Sequence, residues 1–138
     1  MNWKVPALML LAGSALAADL PRSPAPAEVE LYFISPADGA TPASPVTVRF
    51  GLKGMGIAPA GIAMPNTGHH HLLIDTGLPP LDRPVPADAQ HMHFGKGQTE
   101  AAVTLAPGAH RLQLLLGDHL HVPHEPPVAS TMITITVR

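Results

Sequence analysis

The sequence predicts an all-β fold, a single antiparallel β-sandwich with long Gly/Pro-rich loops. Three observations carry that reading. The chain divides into short runs bounded by Gly, Pro, Asp or Asn: "VELYFI", "PVTVRFGLKG", "HHLLID", "EAAVTL", "HRLQLLLGD" and "TMITITV". In the clearest of these, apolar and polar residues alternate with the period of a half-buried strand. The 17 prolines leave little room for long helices.

Taken in order, residues 1–17 read as a secretory leader. Lys4 supplies the positive region, "VPALMLLAGSALA" the apolar stretch, and Ala15-Leu16-Ala17 a small-residue cleavage pattern, with cleavage after Ala17 or Ala18. The apolar run is shorter than the roughly 20 residues that cross a bilayer, so no membrane span is expected in the mature protein. Residues 18–27, "ADLPRSPAPA", read as an extended Pro/Ala-rich linker. The domain then occupies residues 28–138, enough for one core.

Inside it, Val46, Val48, Phe50 and Leu52 fall on one side of the second run, with Thr47, Arg49 and Lys53 on the other. In the last run Ile133, Ile135 and Val137 oppose Thr134 and Thr136. "SPADGA" and "LAPGAH" supply turns whose Pro and Gly preset the dihedrals. "KGMGIAPAGIAMPNTG" and "TGLPPLDRPVPADAQ" are long connections, a class of loop that is mobile or functional. Short strands punctuated in this way describe a sandwich of immunoglobulin-like type.

Charge and cysteine content narrow the chemistry. Without the leader, seven basic side chains face ten acidic ones, and no Lys/Arg cluster exists to neutralise phosphates, so nucleic acid is not an expected partner. The chain has no cysteine. Thiolate metal ligation, thiol catalysis and disulfide exchange are thereby excluded, although the leader places the protein in the periplasm or outside the cell.

All nine histidines lie between residues 69 and 124. Three pairs have the spacing i, i+2: His69 with His71, His91 with His93, and His119 with His121, with His124 close behind. On a strand that spacing puts both imidazoles on one side, where they can serve one ion. The candidate metal ligands are therefore His69, His71, His91, His93, His119, His121 and His124, for copper or zinc, with affinity expected to collapse as pH falls through about 6.5. The competing readings are a hydrogen-bonded structural network and a pH-responsive surface. The phase of "HHHLLID" puts His69, His71, Leu73 and Asp75 on one face and His70, Leu72 and Ile74 on the other, which makes Leu73 the odd residue of the polar face. His110 shares the row of Leu112, Leu114 and Leu116 and reads as structural. Asp118 reads as a carboxylate that orients an imidazole, or equally as a turn residue. Met55, Met64 and Met92 fall in or beside the same loops and offer thioethers to copper or simple loop filling.

The segments "LYFISPADGATPASPVTVRFGLKGMGIAPAG", "NTGHHHLLID", "ADAQHMHFGKGQTE" and "PGAHRLQLLLGDHLHVPHEPPVAS" resemble an exported bacterial family, the domain-of-unknown-function 4399 family, from about Glu30 to Val137. That resemblance implies export and brings no activity with it. "SPADGATPASPVTVRF" also resembles the opening of the periplasmic copper-resistance β-sandwich proteins, over one strand and a turn.

The function expected is a periplasmic histidine-rich module, not an enzyme, that holds or delivers copper, or else zinc. One alternative is a non-metal cell-envelope interaction domain, whose partner would be another envelope protein and whose rim would be Leu78, Pro79, Pro80, Leu81, Pro123, Pro126 and Pro127. The other is a cupin-like metalloenzyme using His91, His93, Glu100 and His110. Six residues separate His93 from Glu100 where that pattern expects three or four.

Overall fold

The computed structural model describes residues 20–138. The leader assigned to residues 1–17 lies outside the described residues. Among the described residues eight strands form: β1 (Glu30–Ser35), β2 (Val46–Lys53), β3 (Gly56–Ile57), β4 (Thr67–Ile74), β5 (His91–His93), β6 (Glu100–Val103), β7 (Gly108–Gly117) and β8 (Ile133–Val137). No helix occurs among the described residues, and hence none long and apolar enough to cross a membrane.

The strands make a β-sandwich. One sheet has the order β1-β2-β6; the other has the order β3-β4-β7-β8, with β5 added beside β4. Pairing is antiparallel except for β3 with β4. The alternation expected in β2 and β8 is observed: Val46, Val48 and Phe50 enter the core from one sheet, and Ile133, Ile135 and Val137 from the other. Leu72 and Ile74 of β4 and Leu112, Leu114 and Leu116 of β7 complete it. At roughly 1.5–3 kcal/mol for each fully buried aliphatic side chain, this shared layer is what holds the two sheets face to face.

Leu73 is not an error of phase. It points to the outer face of the larger sheet, where it meets Leu115 of β7 and Val85, buried together as a second apolar cluster. Val85 belongs to the long connection between β4 and β5, whose main chain is fixed to the site by a bond from Val85 N–H to the carbonyl of His121. That Pro-rich loop is therefore a cover over the outer face.

The stretch read as a linker is tethered over its described part. Glu125 N–H donates to the Ser23 carbonyl and Ala25 N–H to the Glu125 carbonyl, both at 2.9 Å. The Arg22 guanidinium donates to the carbonyls of Pro123 and His124 and pairs with Glu125. Proline cannot donate to a ladder, but beside Pro24 the Ala25 N–H donates and the Ser23 carbonyl accepts.

Candidate metal centre

The outer face of the larger sheet gathers the histidines. On β4, His69 and His71 project outward with Leu73, while His70 turns inward onto Phe50, with ring centroids 4.9 Å apart. The β4–β5 ladder pairs His71 with His93, and the β4–β7 ladder pairs His69 with Gly117. Cross-strand partners on one face stand close enough for their side chains to touch, so β pairing alone brings His69, His71 and His93 together. The fourth member, His121, comes from the turn after β7.

Each of these four offers one ring nitrogen, and the four nitrogens lie within 4.8 Å of one another. His69 Nε2 is 2.9 Å from His121 Nδ1 and 3.0 Å from His93 Nε2. Four nitrogens each roughly 2.0–2.1 Å from a tetrahedral ion would stand about 3.3 Å apart, a spacing that lies between these short contacts and the 4.8 Å extent of the group. The rings pack edge to face or stacked: His93 against His121 at 4.3 Å and 90°, His71 against His93 at 5.1 Å and 12°.

Two glycines make room. A β-carbon on Gly117 would lie 2.6 Å from His71 Cε1, and one on Gly95 would lie 2.6 Å from His93 Nε2. Any larger residue at either position pushes an imidazole off its place.

Burial sets the protonation. His69 and His71 are essentially without solvent contact, and their Nδ1 atoms are buried with no hydrogen-bond partner. Desolvation, followed by repulsion from the other histidines of the cluster, lowers the pKa of His69 to about 4 and that of His71 to about 3. Desolvation, with His121 beside it, lowers His93 as well. These imidazoles are neutral at pH 7 and present lone pairs without a competing proton. The pH near 6.5 expected from an exposed histidine therefore does not apply to the buried pair.

The remaining candidates go elsewhere. His91 shares the outer face but stands opposite Leu73, and its Nδ1 is held 2.6 Å from Asp88 Oδ1. His119 lines a cavity of about 410 Å³ with Ile62, Met64, Asp118 and His124, a space that none of the four clustered imidazoles borders. His124 is buried and donates from Nε2 to the Thr67 carbonyl at 3.1 Å. Asp118 bonds no imidazole: Oδ1 accepts from the N–H groups of Leu120 and Val122, and Oδ2 from the Ser23 hydroxyl. It is a turn former.

His110 is a staple, its two nitrogens 2.7 Å from Asp75 Oδ2 and 2.7 Å from the Ala106 carbonyl. The hydrogen bond to Asp75 raises its pKa. Met55 and Met92 pack against the core, and Met64 borders the separate cavity. Glu100 sits on β6, in the other sheet, with its carboxylate on Arg49, so the cupin-like set is dispersed.

A family profile described as "Domain of unknown function (DUF4399)" matches residues 48–138. The chain belongs to the DUF4399 family. The DUF4399 match takes in all four clustered histidines, Gly95, Gly117 and Asp118, while β1 and the tethered segment Arg22–Ala25 precede it. No curated protein and no solved structure gives a match to the chain.

Proposed function

We propose that the protein is a periplasmic metal-holding module that binds one copper ion, or else zinc, through His69, His71, His93 and His121, and passes it to another envelope protein. The observation that carries this reading is the convergence of four ring nitrogens within 4.8 Å, three of them placed by strand pairing. Neutral imidazole suits both Cu(II) and Zn(II), and the general affinity order for nitrogen sites favours Cu(II). No thioether joins the set, since Met55 and Met92 belong to the core. Four protein donors fill a four-coordinate shell, tetrahedral for Zn(II) and tetragonal for Cu(II), and a filled shell is the arrangement of holding sites rather than of catalytic ones, which keep a position open. His93 is the exposed member and gives the acceptor a route to the ion.

Isothermal titration of the mature protein tests this. Binding of one Cu(II) or Zn(II) with Kd below about 10 μM supports the proposal, and weaker binding of both ions removes it. Replacing His71, His93 and His121 together with alanine abolishes uptake in this account. A non-metal envelope-binding domain would keep its partner after the same replacement.

A further inference from the structure

Three of the four imidazoles are set by strand pairing, and the fourth needs a separate device. His121 has φ = 65°, a left-handed conformation that crowds a β-carbon, although histidine, like asparagine and aspartate, enters it more often than other side chains do. Hydrogen bonds from its surroundings hold the turn in that conformation. Asp118 supplies most of that constraint. Its carbonyl accepts from His121 N–H at 2.9 Å, its N–H donates to the Val122 carbonyl at 2.9 Å, and Oδ1 accepts from Leu120 N–H at 2.9 Å and Val122 N–H at 3.1 Å.

Asp118 is only 3% exposed, so its charge depends on donors from the protein. The one on Oδ2 is the Ser23 hydroxyl, at 2.8 Å, from 95 residues earlier in the chain. Ser23 is in turn held by the main-chain bonds to Glu125 and by the Arg22 contacts with Pro123, His124 and Glu125. The N-terminal segment and the turn that carries His121 are thus one hydrogen-bonded unit.

We propose that Ser23 and Asp118 are positioning residues for the metal centre: the Ser23–Asp118 hydrogen bond latches the left-handed turn that presents His121, so the segment Arg22–Ala25 governs how long the ion is held. The inference rests on the four-histidine metal site. Loss of the hydroxyl leaves a buried carboxylate oxygen without its donor. The turn relaxes to a conformation acceptable to a β-carbon, and His121 swings away from the three strand-borne imidazoles.

The test uses the mature protein loaded with Cu(II), as wild type, Ser23→Ala, Ser23→Thr, Arg22→Ala and His121→Ala. Release to an excess of chelator is followed by stopped flow, and the number of nitrogen donors by electron paramagnetic resonance. Residues that orient a ligand from behind typically contribute roughly 10–100-fold to metal affinity, so Ser23→Ala should release Cu(II) about 10-fold faster. Its spectrum should shift toward the three-nitrogen spectrum of His121→Ala, Ser23→Thr should restore both readouts, and Arg22→Ala should speed release in the same direction. A Ser23→Ala protein with the wild-type spectrum and release rate overturns the latch, and so does one that only melts earlier. Wild-type protein that takes up no Cu(II) overturns the metal site itself, a distinguishable result.

Discussion

Acidifying the metal-free protein from pH 7 to pH 5 should cost it a large part of its stability. His69, His70 and His71 are buried side by side on β4, with pKa values lowered by desolvation to about 4, about 4 and about 3. In the unfolded chain each titrates near 6.5. Below that pH the unfolded state binds protons that the folded state refuses, so stability is full above about 6.5 and is lost as pH falls toward 4. Integrating between pH 7 and 5 gives roughly 2 kcal/mol per histidine, and on the order of 5 kcal/mol for the three. That is comparable with the whole stability of many domains. With a urea m-value of about 1.5 kcal/mol/M, the unfolding midpoint should fall by about 3 M. The His110–Asp75 pair opposes this slightly. Its raised histidine pKa stabilises the fold fully below 6.5, and the contribution fades as pH rises through the folded value. Urea titrations followed by tryptophan-independent far-UV circular dichroism at pH 7, 6 and 5 measure the effect. A midpoint that stays constant across that range would refute the claim that these imidazoles are buried and neutral.

Other outcomes follow from the same geometry. His70→Leu should stabilise the metal-free protein by about 1–2 kcal/mol and flatten the acid slope by about a third, because both ring nitrogens of His70 are buried without partners and an apolar group removes that cost; denaturant titration and metal titration together check that affinity is unchanged. Gly117→Ala, which sets a methyl group 2.6 Å from His71 Cε1, should weaken Cu(II) or Zn(II) binding by roughly 10-fold or more with the fold intact by circular dichroism. His91→Ala and His119→Ala should bind metal as wild type does, whereas His93→Ala should lose well over 10-fold in affinity by calorimetry. Asp75→Asn should drop the His110 pKa toward its ordinary value in a nuclear magnetic resonance titration, since the carboxylate is the principal cause of the rise.

Much of the site was legible because β pairing obeys simple rules. The i, i+2 spacing put His69 with His71 on one face, and the same rule put His91 with His93 on one face. Spacing could not tell which member of the second pair reaches the centre. That depends on the register, which sets His93 against His71 and His91 against Leu73. Strands β3 and β5, of two and three residues, are too short to show a period and fell inside stretches read as loops or left unassigned. The outer sheet face was not legible as a buried surface: Leu73 reads as the odd residue of a polar face, and it is the packing of Val85 against Leu73 and Leu115 that covers it. Among His119, His121 and His124, it is His121 that a left-handed turn, hydrogen-bonded to the Asp118 carbonyl, brings to the cluster, and that turn is invisible to periodicity. The nearest signal was "GDHLH", where an aspartate followed by a short polar-apolar run is the composition of a side-chain-capped turn.

The most direct measurement is an anomalous-scattering map of crystals of the mature protein soaked in Cu(II) and, separately, Zn(II). A single peak within about 2.0–2.3 Å of nitrogens from His69, His71, His93 and His121 is the predicted result. Peaks confined to His91, His119 or His124, or no peak on the outer face of the larger sheet at micromolar metal, would contradict it.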